Sequence, residues 1–463
     1  MSKQKRKKQF YLLSLGCSKN TVDSESMATL LNRAGYGGTA EADEAGVLIV
    51  NTCGFIQAAK EESLAALREL AAAKKPEQLL IAAGCLSQRY GPLLAQEVPQ
   101  LDGVIGTRRW MDIVPFIHQL RRHKHPEPVY HLPDEATTVG RDERNVLRVA
   151  QHGASAYLKI ADGCRRPCAF CTIPEIKGTL VSRPLQSIVD EAVRLQEAGV
   201  RELIIISQDS TDYGHDLGMK NGLSQLLERM VVQAPGIDWI RIMYAYPGYV
   251  TDELIETMAR HPQILPYLDI PLQHAHRETL KRMRRPANVE WVHETVGKLR
   301  AAMPNLAIRT TFIVGYPGET NEEFAALKEF VREMRFDRVG VFTYSFEAST
   351  PSATVSWQVP DDVKEARRGE LMALQQEISL ERNQAQVGRT LDVLVEGYDP
   401  ETGISVGRTY RDAPEVDGYV AIDGVLTTGE IVPVVIDGAT VYDLTGMPAA
   451  YEAGNTVIQV GSF

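Results

Sequence analysis

The chain has 463 residues, of which 44% are apolar and 24% charged, with a formal net charge of −10. That length suggests about three domains, and the balance is that of an ordinary soluble protein. No apolar run approaches the roughly eighteen residues of a membrane span, so no membrane partner is expected.

The first residues, Met1–Lys8, carry Lys3, Lys5, Arg6, Lys7 and Lys8. No long apolar run follows, so they read as a solvated tail or a weak nucleic-acid contact rather than a signal peptide. Six cysteines without a secretion signal place the chain in the reducing cytoplasm.

Residues 9–120 alternate strand and helix patterns. Apolar strand candidates at Phe10–Leu15, Val47–Val50 and Leu79–Ala82 are each followed by helical periodicity, at Ser24–Arg33, Ala58–Ala73 and Ser87–Gln96. This predicts a parallel α/β sheet, whose ligands bind beyond the carboxyl ends of the strands. Cys17, Cys53 and Cys85 each follow one of these strands and lie beside a glycine, which puts all three on one sheet edge. Three thiolates there suit a [4Fe-4S] cluster with one open iron. Packed small residues, or a redox disulfide plus one thiol, are the alternatives, although this segment has no C-x2-C pair.

Residues 121–149 are rich in proline, histidine and mixed charge and read as a linker. His118, His123, His125 and His131 fit no compact metal site and read as solvated. From 150 to 387 six apolar runs recur: Ala156–Ile160, Glu202–Ser207, Trp239–Met243, Tyr267–Ile270, Ala307–Val314 and Val339–Tyr344. Helical stretches separate them, predicting a partial (βα)6 barrel with its site at the carboxyl-terminal end. Gln208, Asp209, Gln273, His274 and Gly315 lie just past strands. Arg183 reads as a carboxylate partner or a surface salt bridge.

After the first barrel strand comes Cys164-Arg165-Arg166-Pro167-Cys168-Ala169-Phe170-Cys171, a C-x3-C-x2-C loop. It can hold three corners of a second [4Fe-4S] cluster and leave the fourth iron open. Zinc is the rival, but it favours paired C-x2-4-C sets and no partner pair lies nearby.

Asp361–Gln386 reads as a charged amphipathic helix. Beyond it, residues 388–458 show five short strands: Thr390–Glu396, Ile404–Thr409, Gly418–Ile422, Ile431–Ile436 and Thr440–Leu444. They predict a small antiparallel, OB-like β-barrel. From residue 388 onward three arginines stand against twelve acids, a surplus of nine negative charges. Phosphate binding depends on Lys and Arg, so this barrel should repel tRNA and favour a basic protein, or else serve as a solubilising surface. Asp412, Glu415 and Asp417, in a stretch bounded by Pro414 and Gly418, read as an exposed acidic loop.

The C-x3-C-x-aromatic-C loop, with Phe170 as the aromatic, resembles that of the radical S-adenosylmethionine (SAM) enzymes. Ser14-Leu15-Gly16-Cys17-Ser18-Lys19-Asn20, Asp23-Ser24-Glu25, Asn51-Thr52-Cys53, Gly84-Cys85 and Lys177–Pro184 extend the likeness over nearly the whole chain. Together with a terminal barrel of the TRAM type, the chain resembles the radical SAM methylthiotransferases.

That resemblance implies two [4Fe-4S] clusters, with Cys164, Cys168 and Cys171 serving the one that cleaves SAM. Cys17, Cys53 and Cys85 would hold an auxiliary cluster that presents sulfur. One SAM would methylate that sulfur, and a second would yield a 5'-deoxyadenosyl radical that takes hydrogen from the substrate. SAM contacts are implied at Phe170, Arg183, Gln208 and Gly315. Within the family the motifs and the acidic barrel lean toward the branch that methylthiolates an aspartate β-carbon of ribosomal protein S12, with an external electron donor. Modification of a tRNA adenosine and a non-catalytic iron–sulfur factor remain the alternatives.

Overall fold

The computed structural model describes residues 8–122, 127–133 and 144–449, and the apolar runs of its first segment become the centre of a parallel sheet. β1 (Gln9–Ser14), β2 (Gly37–Gly38), β3 (Val47–Thr52), β4 (Leu79–Gly84), β5 (Gly103–Gly106) and β6 (Val129–His131) lie in the order β2-β1-β3-β4-β5-β6. Each neighbouring pair is parallel. β3 is buried along its whole length because helices cover both faces of the sheet. Val47 and Ile49 pack with Met27, Trp110 and Phe116, while Leu48 and Val50 pack with Leu64, Leu67 and Leu86. β6 lies within the stretch whose composition reads as a linker, where it extends the sheet. His131 on that strand bonds the Asp112 carboxylate at 2.9 Å and so is not a solvated side chain. His123 and His125 lie outside the described residues.

The central segment contains β7 (Val149–His152), β8 (Ser155–Lys159), β9 (Ala161–Asp162), β10 (Val181–Ser182), β11 (Glu202–Ile206), β12 (Trp239–Ile242), β13 (Ile264–Asp269), β14 (Ala307–Val314) and β15 (Arg338–Thr343). Six parallel strands run β15-β14-β13-β12-β11-β8, with β7 added antiparallel at one edge, while β9 and β10 pair separately. The sheet is open, as a partial barrel requires. Its strands alternate faces: Leu203 and Ile205 pack under the helices, and Ile204 and Ile206 face the interior with Tyr157 and Tyr267.

The terminal unit is a closed barrel of β16 (Thr390–Asp399), β17 (Ile404–Thr409), β18 (Val420–Asp423), β19 (Ile431–Ala439) and β20 (Leu444–Pro448). All its pairs are antiparallel except β18 with β20. The last strand begins later than the β-formers Thr440, Val441 and Tyr442 suggest. Thr440 N donates to Asp443 O at 2.8 Å and Asp443 N to Thr440 Oγ1 at 2.9 Å, so a turn takes that stretch.

This barrel docks into the interior of the open one. Arg408 reaches Glu202 at 2.7 Å, and Glu202 also accepts from Arg241 at 2.8 Å. The acidic loop is part of the joint: Asp412 pairs with Arg338 at 2.6 Å, and Asp417 accepts from Tyr267 Oη at 2.7 Å. Of Asp412, Glu415 and Asp417, only Glu415 is exposed. The other two are drawn inward because Arg338 and Arg309 need counter-charges there. Among the described residues no helix is long and apolar enough to cross a membrane.

Candidate active site

Cys17 forms the N-cap of the helix Ser18–Arg33, Cys53 follows β3, and Cys85 opens the helix Cys85–Glu97. Their loops are tied together by amides. Asn20 Nδ2 donates to Leu15 O at 2.7 Å and Asn51 O at 3.0 Å, and Asn51 Nδ2 returns to Asn20 O at 2.9 Å. The adjoining glycines make room. A Cβ on Gly16 would lie 2.9 Å from Cys53 Sγ, and one on Gly84, at φ +96°, would lie 2.4 Å from Asn51 Oδ1.

The central loop is fixed as firmly. Cys164 N donates to Gly178 O at 3.1 Å and Ala169 N to Met283 O at 2.9 Å. Arg165 forks onto Asp212 with two 2.7 Å bonds, and Arg166 reaches Asp209 at 2.6 Å. Arg166 also stacks on Tyr249, 3.6 Å from the ring centre.

All six cysteines line one cavity of about 480 Å³ between the first sheet and the carboxyl ends of the central strands. None is in a disulfide. Burial pushes the Cys85 and Cys171 thiols up to about 12, the Cys164 thiol to about 11, and raises Cys53. At Cys17 the surrounding wall also opposes ionisation, but the Lys19 ammonium and the Asn20 N–H outweigh it and leave that thiol below its ordinary range.

Soft thiol donors in two trios, backed by cations, match the donor chemistry of iron–sulfur clusters. Among the described residues no group of three or more His, Cys, Asp or Glu surrounds a single-ion position. A cluster spreads its thiolates over separate irons, so the trios suit clusters better than one zinc ion.

A buried ion network joins the two halves of the cavity. Asp23 accepts from Arg148 at 2.6 Å, Lys159 at 2.8 Å and Lys177 at 2.9 Å, and Asp162 pairs with the same three cations. Lys177 carries its end of the network to the cavity wall.

Phe170 and Gln208 line the cavity, as does Gln273. Arg183 and Gly315 do not. Arg183 is buried in an ion pair with Glu191 at 2.7 Å and donates to Lys159 O at 2.7 Å, which pins the helix Leu185–Glu197 to β8. Gly315, at φ +68°, packs beneath Lys364, whose Cγ lies 2.3 Å from where a Cβ would stand. Asp209 braces Arg166, and His274 is buried with its Nε2 3.9 Å from Glu319. Lys19, Tyr244, Tyr246, Arg285, Arg309 and Val416 also line the cavity without having been marked in the sequence as site residues. Lys19 follows Cys17 by two residues within a motif legible in the sequence, whereas the other five converge from separate strands and domains, so no local spacing could reveal them.

Three family profiles match in chain order: Uncharacterized protein family UPF0004 over residues 9–106, Radical SAM superfamily over 158–331, and TRAM domain over 387–448. The ribosomal protein uS12 methylthiotransferase RimO of Chloroflexus aurantiacus is 48% identical over 451 residues, covering 95% of this chain and 99% of that protein. The chain belongs to the RimO family. The RimO protein of Herpetosiphon aurantiacus is 47% identical over 95% of this chain and 99% of its own. Among solved structures, the radical SAM methyltransferase TsrM of Kitasatospora setae shares the fold, at a TM-score of 0.55 and 13% identity over 74% of this chain and 75% of that one. RimO membership accounts for the three-unit order and for cysteines on both of the units that face the cavity.

Proposed function

We propose that this chain methylthiolates the β-carbon of an aspartate in ribosomal protein S12. The observation that carries the reading is the convergence of two cysteine trios from two domains on one cavity, in a chain of the RimO family. Cys164, Cys168 and Cys171 would hold one [4Fe-4S] cluster, and Cys17, Cys53 and Cys85 the other. Bound together, the clusters and SAM supply the electron, the carbon radical and the methylated sulfur that an unactivated C–H bond demands.

The chain's own groups do the rest. Arg165 and Arg166 clamp the central loop to Asp209 and Asp212, so Cys164, Cys168 and Cys171 keep fixed positions. Arg285 approaches Cys168 Sγ at 3.5 Å and offers a guanidinium to SAM's carboxylate, while Arg183 is paired with Glu191. Gln208 adds a buried side-chain oxygen without a hydrogen-bond partner, suited to SAM's amino group. The Asp23–Asp162 network locks the two domains so that the trios face each other. Val416, from the terminal barrel, closes part of the wall and limits water.

The barrel's acidic surface would approach the basic S12, an external donor would supply electrons, and action on a ribosomal protein would put the enzyme in the cytoplasm. Mass spectrometry of S12 after incubation with reconstituted enzyme, SAM, sulfide and a reductant tests the reading. A methylthio group on one aspartate is expected. Unmodified S12 alongside methylthiolated tRNA would overturn it.

A further inference from the structure

On the S12 reading the cavity must hold two carboxylates, that of SAM and that of the substrate aspartate. Among the described residues its wall carries five cations, Lys19, Arg166, Lys177, Arg285 and Arg309, and no acid. Three of the five are already paired. Arg166 bonds Asp209 and Asp212, Lys177 bonds Asp23 and Asp162, and Arg309 bonds Asp269 at 3.0 Å and Asp417 at 3.4 Å. Arg285 has no acid partner among the described residues, but it lies against Cys168, on the side of the central loop.

Lys19 stands on the opposite side, two residues after Cys17. Among the described residues no acid lies within ion-pairing distance of its ammonium, which rests 3.1 Å from the ring centre of Tyr244. A π face attracts the charge but accepts none of the three N–H bonds in the manner of an oxygen.

Tyr244 is itself held in place. Its φ is +64°, a region that bulky residues avoid. Its N–H donates to Asp269 Oδ2 at 3.3 Å and its carbonyl accepts from Ser210 N at 2.9 Å. Such strain persists where surrounding structure over-determines it, and it gathers at functional sites.

We propose that Lys19, seated on Tyr244, is the specificity-determining residue that takes the carboxylate of the substrate aspartate. The proposal rests on the S12 reading and adds the group that distinguishes an acidic side chain from a neutral one. Lys19 and Tyr244 come from different domains, so the receptor forms only when the two are docked. The competing role for Lys19 is that of a counter-charge to Cys17.

The test measures binding of S12, and of S12 with its target aspartate changed to asparagine, to reconstituted enzyme by fluorescence anisotropy. Wild type should prefer the aspartate form by about tenfold or more, the scale of a hydrogen bond to a charged group. Lys19→Met should bind both forms alike, with KM for S12 raised more than kcat is lowered, and Lys19→Arg should restore the preference. Iron content checks that each variant still loads its clusters.

Equal binding of the two S12 forms by wild type would overturn the proposal without any enzyme variant. A Lys19→Met protein that keeps the preference would also overturn it. Lost product with the preference intact would leave Lys19 as a counter-charge only. Failure of wild type to bind or modify S12 at all would instead reject the functional reading itself.

Discussion

Cys164 and Cys53 open into the same cavity but belong to separately supported loops, so their removal should have separable effects. Reconstituted wild type should hold about eight irons per chain, from two four-iron clusters. Cys164→Ala should keep about half of that and lose 5'-deoxyadenosine formation. Cys53→Ala should keep some SAM cleavage and lose the methylthio product. An iron assay with product chromatography checks both, and 5'-deoxyadenosine from the Cys164 variant would refute the assignment of the central loop. Asp23 is the residue on which the domain joint depends most, since it accepts from three buried cations. Asp23→Asn would leave those cations short of charge, and breaking such a buried pair costs about 3–5 kcal/mol. Thermal unfolding should show a clearly lowered midpoint, and an unchanged one would mean the network contributes little.

The elements that meet at Glu202 show how the terminal barrel is held. Burial alone would raise this carboxyl, but the Arg241 and Arg408 guanidiniums overcome it and hold the value down at about 2. The folded value lies below the ordinary 4.5, so the ion pair's contribution is complete above that pH and disappears as pH falls toward the folded value. Glu202→Gln removes the charge, leaving the buried Arg241 guanidinium without an acid among the described residues and Arg408 with Glu396 alone. Its deficit in thermal midpoint relative to wild type should be constant through neutral pH, shrink below about 4.5, and vanish toward about 2. A deficit that grew in acid would contradict the sign. Glu202 also shows what a strand pattern hides. It opens an apolar strand, and nothing local announces that its partner Arg408 lies 206 positions away.

At the largest scale, docking leaves the terminal barrel's negative surplus on its exposed face, because it buries two arginines and two acids together. Arg408 and Arg411 are buried in ion pairs, which leaves Arg389 as the barrel's exposed cation. Asp392, Asp399, Glu401, Asp423, Glu430 and Asp437 remain on the surface. The acids at Asp412 and Asp417 are structural, so charge reversal there would test stability rather than binding. Glu401, Asp423 and Glu430 are the better choice. Changing these three to lysine should weaken S12 binding and slow its modification, and raising salt should weaken wild-type binding. Titrations of S12 and of tRNA at several salt concentrations check this. Unchanged S12 binding together with gained tRNA modification would reverse the choice of substrate.

The strand-helix alternation, the cysteine trios and the acidic terminal barrel can be read along the chain, because each is a local pattern of period, spacing or composition. Ala307–Val314 is legible to the residue because its apolar run and end signals agree there. The strand Gly103–Gly106, at four residues, is too short to show a period, and Val129–His131 is a strand only because β5 offers it an edge. Tertiary structure alone decided that Arg183 and Gly315 brace the core while Arg285 and Lys19 face the cavity. It also drew Asp412 and Asp417 inward. A side chain's partner is set by which distant charge the fold brings within a few ångströms, and that distance is not written in the spacing along the chain.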